Sequence, residues 1–143
     1  CPRLRRALDS ARPDSFSGGM NDPEEIMLDA LPDSSLIAHR KALEAAGSVI
    51  VMVQRVPAPL RSIADQAIRA ASSVPANLSE GHGRSGRDRL HHWRIAYASA
   101  KEVDSHLRLL AYAGAVEVAR ASAAVRLFDE VRAMTWRLLH PKS

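Results

Sequence analysis

Residues 80–88 read EGHGRSGRD. Within them Gly81-His82-Gly83-Arg84-Ser85-Gly86 matches G-x-G-x-x-G, the pattern of a loop that cradles a dinucleotide pyrophosphate. That chemistry needs a strand directly before the first glycine and a parallel sheet around it. The residues before Gly81 form a long alanine-rich run with helical periodicity, so the glycines read as the end of one helix and the start of the next. There they allow positive φ and a close turn, and Asp88 falls in a first helical turn, where a carboxylate suits the helix dipole. No cofactor is expected. Glu80 and Glu102 form a second constellation, two acids on adjacent helices that could do acid–base work or cut nucleic acid with magnesium. Arg69 lies on the same helical face as Glu80, and an ion pair between them is the simpler explanation. His91-His92 with His82 raises a metal, but adjacent helical residues point about 100° apart. Only Asp88 stands at ligand spacing, so no metal is expected. Ser72, Ser73 and Ser79 have neither a nucleophile elbow around them nor a well-placed histidine. Nothing here points to an enzyme.

The remaining constellation is basic. Arg87, Arg94, Lys101 and Arg108 recur every seven residues and line one edge of a helix. Trp93 and Tyr97 lie on neighbouring faces. Cations interleaved with aromatics suit phosphate contact and base stacking, although a charged edge beside a core aromatic pair is also what an ordinary bundle helix carries. Arg84, Arg87 and Arg89 cluster at the glycine corner as a second place for nucleic acid to bind.

These side chains need helices to position them. Residues 1–34 read as a tail: they hold four prolines and the pair Gly18-Gly19, without sustained periodicity. The chain begins at Cys1 with Met20 downstream, so residues 1–19 read as additional to the folded unit. From Ser35 to the end at Ser143 the pattern is helical four times over. The first helix spans about Ser35 to Gln54, where Val56-Pro57-Ala58-Pro59 stops it. Val49-Ile50-Val51-Met52-Val53 would pass for a buried strand in isolation, yet apolar positions 36, 43, 46, 50 and 53 continue a helical spacing. The second helix spans about Pro59 to Gly81, with a kink expected at Pro75. The third runs from Gly86 to Ala113 before Gly114, and the fourth from Val116 to Leu139 before Pro141. Short loops make neighbours antiparallel. The fold class is all-α, an up-down four-helix bundle with a kinked second helix.

Composition agrees with one such domain. The chain has 143 residues, 46% hydrophobic, 25% charged and only 4% aromatic, so its core must be built from Ala, Leu, Val and Ile. A single cysteine excludes an intrachain disulfide and a multi-cysteine metal site. No run reaches the roughly 18 apolar residues of a membrane span, and no secretory signal is visible, which makes the cytoplasm the expected location. Charge is uneven. Residues 1–34 carry four basic and seven acidic side chains, a net of −3, while residues 35–143 carry sixteen and nine, a net of +7. A basic folded part permits a polyanionic partner.

On a helical wheel, Leu60, Ile63, Ala64, Ala67, Ile68, Ala71, Val74 and Leu78 share one face. Opposite them, Gln66, Arg69, Ser73, Asn77, Glu80 and Arg84 fall within roughly 80° of arc. This is either a solvated face or a polar seam between helices or subunits; compact amides and hydroxyls suit a hydrogen-bonded ladder, provided every member is paired.

The run QAIRAASSVPANLSEG (Gln66 to Gly81), followed by Gly83-Arg84, closely resembles the signature of the four helix bundle protein family. Its members are encoded in intervening sequences of bacterial 23S rRNA genes or stand alone. Gln66, Arg69, Ser73, Pro75, Asn77, Glu80, Gly81, Gly83 and Arg84 fill the distinctive positions. Downstream, Ala98-Ser99-Ala100-Lys101-Glu102-Val103-Asp104 resembles the family's A-x-G-S-x-x-E-[LV]-[ED] segment, with Glu102 at the acidic position and Ala98 where a glycine is usual. The resemblance covers about residues 36–139. It implies a four-helix bundle, a homopentameric ring with a central channel, and kinship with the accessory protein of diversity-generating retroelements, which binds nucleic acid and a reverse transcriptase. It implies no activity. The expected function is a non-enzymatic, oligomeric nucleic-acid-binding protein, acting on RNA or DNA through Arg84, Arg87, Arg89, Arg94, Lys101 and Arg108. The competing expectation is a protein–protein adaptor with no nucleic-acid role, whose subunits are held by Gln66, Arg69, Ser73, Asn77, Glu80 and Glu102.

Overall fold

The computed structural model describes residues 34–142; the expected N-terminal tail lies outside them, apart from Ser34. Four helices follow: α1 (Ile37–Met52), α2 (Arg61–His82), α3 (Gly86–Tyr112) and α4 (Val118–Leu139). They belong to one unit beginning at Leu36. No strand occurs among the described residues. The strand-like segment 49–53 is the end of α1 and a 3-10 turn, with Val49 and Val53 both fully buried one helical turn apart.

Three helices start about two residues later than the sequence predicts, α1 at Ile37 rather than Ser35 among them. Pro57 accepts a hydrogen bond from the Leu60 amide at 2.9 Å, so Ala58–Leu60 is a separate 3-10 turn and α2 begins only at Arg61. Glu117 is extended, and α4 begins at Val118. The helix α2 runs through Pro75 without a break, and the proline itself is buried. α3 ends in a Schellman turn, in which the Ala115 amide reaches back to the Leu110 carbonyl at 2.9 Å and the Gly114 amide to that of Ala111 at 3.0 Å.

Each helix packs against its sequence neighbours, and α1 also packs against α4, which closes the bundle; the α2–α3 interface is the most extensive. Alanines dominate the interior. Ala42, Ala45, Ala64, Ala67, Ala71, Ala96 and Ala100 are all completely buried, and the larger anchors are few: Phe128, Leu78, Leu107 and Leu110. An alanine face lets helix backbones approach closely while costing no side-chain entropy. A Lys41–Glu130 ion pair at 3.2 Å spans α1 and α4 at the surface. His39 Nδ1 is buried without a hydrogen-bond partner; burial first, and the nearby His82 second, hold its pKa below the ordinary 6.5. No helix among the described residues is long and apolar enough to cross a membrane.

Candidate nucleic-acid interface

The polar residues of α2 turn toward α3 and form a chain of hydrogen bonds. Ser99 and Ser73 hydroxyls are 3.0 Å apart. Asn77 donates its amide to the Ser73 carbonyl at 2.9 Å and to the Ser73 hydroxyl at 3.1 Å. Its other end, Oδ1, accepts from His92 Nδ1 at 3.0 Å. Ser99, at 8% exposure, is the most buried member. The chain joins two helices of one subunit. Gln66 and Arg69 are exposed and lie outside it.

The glycine corner is built from the same two helices. Arg89 donates to the carbonyls of Gly81 at 3.1 Å and His82 at 3.3 Å, capping the end of α2. Its guanidinium lies 5.4 Å from the Trp93 ring centroid. Trp93 is buried at 6% exposure and donates its indole N–H to the Leu78 carbonyl at 3.3 Å. Its ring presses on Gly81: a Cβ there would lie 2.6 Å from Trp93 Cδ1 and 3.0 Å from the Arg89 carbonyl oxygen. The three glycines therefore differ in role. Gly81 makes room for an indole, Gly86 supplies a φ of +58° at the start of α3, and Gly83 is an ordinary right-handed residue at φ −80°.

The expected Arg69–Glu80 pair does not form. Glu80 is held instead by Arg84 at 2.7 Å, and Arg84 also holds Asp88 at 2.6 Å. Eleven helical residues separate Arg69 from Glu80, a rise of about 16 Å, whereas Arg84 is one turn away. The Arg84 hydrogen bond holds the Asp88 carboxylate below its ordinary value, against the opposing effect of desolvation. Glu102 pairs with His106 at 3.3 Å, so the two acids have separate partners. The rings of His91 and His92 meet edge to face at 5.6 Å. No group of three metal-ligating side chains exists among the described residues.

The basic edge of α3 divides in two. Arg87, Arg94 and Lys101 are exposed and, among the described residues, have no acidic partner. Arg108 is bonded to Asp104, which raises the Arg108 pKa. Arg84 and Arg89 are engaged at the corner. Trp93, offered by the sequence as a stacking surface, is a core residue. Two aromatics that the sequence does not single out are exposed: Tyr112, at the end of α3, and Trp136, on α4, which is 52% exposed. Trp136 is the one with ring partners. It stacks on His140 at 3.8 Å between centroids and lies 6.0 Å from Tyr97. The signal was there in the buried stripe Ala121, Ala124, Val125, Phe128 and Val131, which continues to Thr135 and leaves position 136 outside.

A family model described as 23S rRNA-intervening sequence protein matches residues 34–137. The chain belongs to that family. A crystal structure of a protein of unknown function from the S23 ribosomal protein family of Bacteroides thetaiotaomicron is similar, with a TM-score of 0.66 at 19% identity, covering 72% of this chain and 95% of that one. At that identity the likeness is one of fold. No functionally curated protein matches. The family signature now has a physical content: Ser73 and Asn77 lie on the α2–α3 seam, Gly81 receives Trp93, and Glu80 and Arg84 brace the corner.

Proposed function

We propose that this member of the family is a non-enzymatic, oligomeric protein of the bacterial cytoplasm that binds nucleic acid, RNA or DNA, through the basic edge of α3. The observation that carries the reading is the row Arg87, Arg94 and Lys101: three exposed cations two helical turns apart with no acidic partner among the described residues. Cations left unneutralised along one line suit successive phosphates, whose counterions are released on binding. Ile37, Leu43 and Ile50 are exposed on α1 at 57%, 51% and 37%, which supports self-association, as a homopentamer by the family resemblance. Repetition of the edge around an oligomer multiplies a modest affinity. Titration of labelled RNA and DNA at several salt concentrations tests this. Replacing Arg87, Arg94 and Lys101 together by alanine should flatten the log–log salt slope by about 2 to 3 and weaken binding throughout. Unchanged affinity and slope would remove the assignment.

The adaptor reading has its own support. A groove of about 400 Å³ between the end of α3 and the start of α4 is lined by Tyr112, Val118 and Val125, with Arg108 at its rim. Tyr112 is 92% exposed and Val118 70%, apolar surface of a kind that protein partners cover. Absence of nucleic-acid binding at low salt, together with retention of a protein partner lost on Tyr112→Glu, would favour it.

A further inference from the structure

We propose that Trp136, flanked by Tyr97 and His140, is a stacking platform for unpaired bases, so that the nucleic acid held by this protein is single-stranded. The inference rests on the reading that the α3 edge binds phosphates, and it names the form of the ligand. The two tryptophans of the chain make the contrast. Trp93 is 6% exposed with its indole N–H bonded to a carbonyl. Trp136 is 52% exposed, and no hydrogen bond of its indole occurs among the described residues. Its ring is nevertheless held in place. His140 covers it at 3.8 Å and 29°, and the imidazole is itself fixed because Nδ1 stands 3.0 Å from the Trp136 carbonyl oxygen and donates to it. Tyr97 lies 6.0 Å away between centroids, tilted by 50°. An ordered, half-exposed indole is a preformed surface that a base can cover at little entropic cost.

Charge surrounds this surface. Tyr97 lies one helical turn from both Arg94 and Lys101, so the two unpaired cations flank the aromatic group. Nearby on α3 and α4, Asp104 is bonded to Arg108 and lies 3.8 Å from Arg132, Asp129 is bonded to Arg132, and Glu102 pairs with His106. Aromatic faces beside unneutralised cations are the elements of single-strand binding, in which bases stack and the groove tracks the backbone. A duplex keeps its base faces inside its own stack and can use only the cations.

The test uses the full chain with oligo(U), oligo(dT) and a duplex of equal length, following anisotropy of the labelled strand and intrinsic tryptophan emission. Single strands should quench Trp136 emission. Trp136→Ala should lose about 5- to 100-fold in single-strand affinity, keep its duplex affinity, and retain helicity and Trp93 emission. Trp136→Phe should recover most of the loss. Equal quenching and equal losses for oligo(U) and oligo(dT) mean that the platform reads base faces of either polymer; a loss confined to one assigns it to that polymer. If Trp136→Ala binds single strands like the parent, or loses single strands and duplex equally, the platform is refuted. In that event abolition of all binding by Arg94→Ala with Lys101→Ala would leave the basic-edge reading standing. Failure of the parent protein to bind any of the three at low salt would overturn both.

Discussion

Asn77 shows how much one side chain does in this fold. It spends its amide on Ser73 and its carbonyl oxygen on His92, and so connects a hydroxyl pair on one side to an imidazole on the other. Removing it leaves the Ser73 hydroxyl and the His92 Nδ1 each one partner short in a half-buried place. Asn77→Ala is therefore expected to destabilise the domain by about 1 to 3 kcal/mol, read as a shift in the urea midpoint. Because the bonds are made within a subunit, sedimentation under native conditions should show the assembly state unchanged. Dissociation without loss of stability would instead place the seam between subunits. A wheel drawn from the sequence identified Ser73 and Asn77 as a pair on one face, but their partners Ser99 and His92 lie 15 to 26 residues away, beyond the reach of any local pattern.

Among the elements, the corner between α2 and α3 is where helix packing and backbone form are settled together. Gly81 sits inside the last turn of α2 because an indole twelve residues later occupies the space of its missing side chain. Gly81→Ala should push Trp93 off its bond to the Leu78 carbonyl and cost about 1 to 3 kcal/mol, as overpacking does; near-ultraviolet circular dichroism and a red-shifted Trp93 emission would report it. An unaltered Trp93 signal would mean that the ring relaxes without cost. The four helices themselves were legible from apolar periodicity and from Pro57, Pro59, Gly114 and Pro141, which act within a few residues. The starts of α2 and α4 were less so, since a 3-10 turn and an extended residue satisfy the same proline and glycine signals. The rank of the aromatics was legible only indirectly: Trp93 and Trp136 are the same residue type, and it is the register of the buried stripes that separates a core residue from a surface one.

At the scale of the whole molecule, α1 and α3 stand diagonally across the bundle, each packed between α2 and α4. The exposed apolar residues of α1 and the basic edge of α3 therefore stand on helices that are not neighbours in the bundle. The interior that fixes this arrangement is made largely of the smallest side chain that still favours a helix. Such an interior has a one-sided tolerance to change. Ala67 and Ala100 are fully buried at helix contacts, so trimming either to glycine costs mainly backbone entropy, about 1 kcal/mol, whereas enlarging either to leucine must move a neighbouring helix. Ala67→Leu should accordingly be worse than Ala67→Gly in chemical denaturation, the reverse of the order usual in a core of large residues. A sequence of this kind can drift widely on its surface while its interior stays nearly fixed, because almost every single substitution open to a buried alanine adds volume that the bundle has no room to accept.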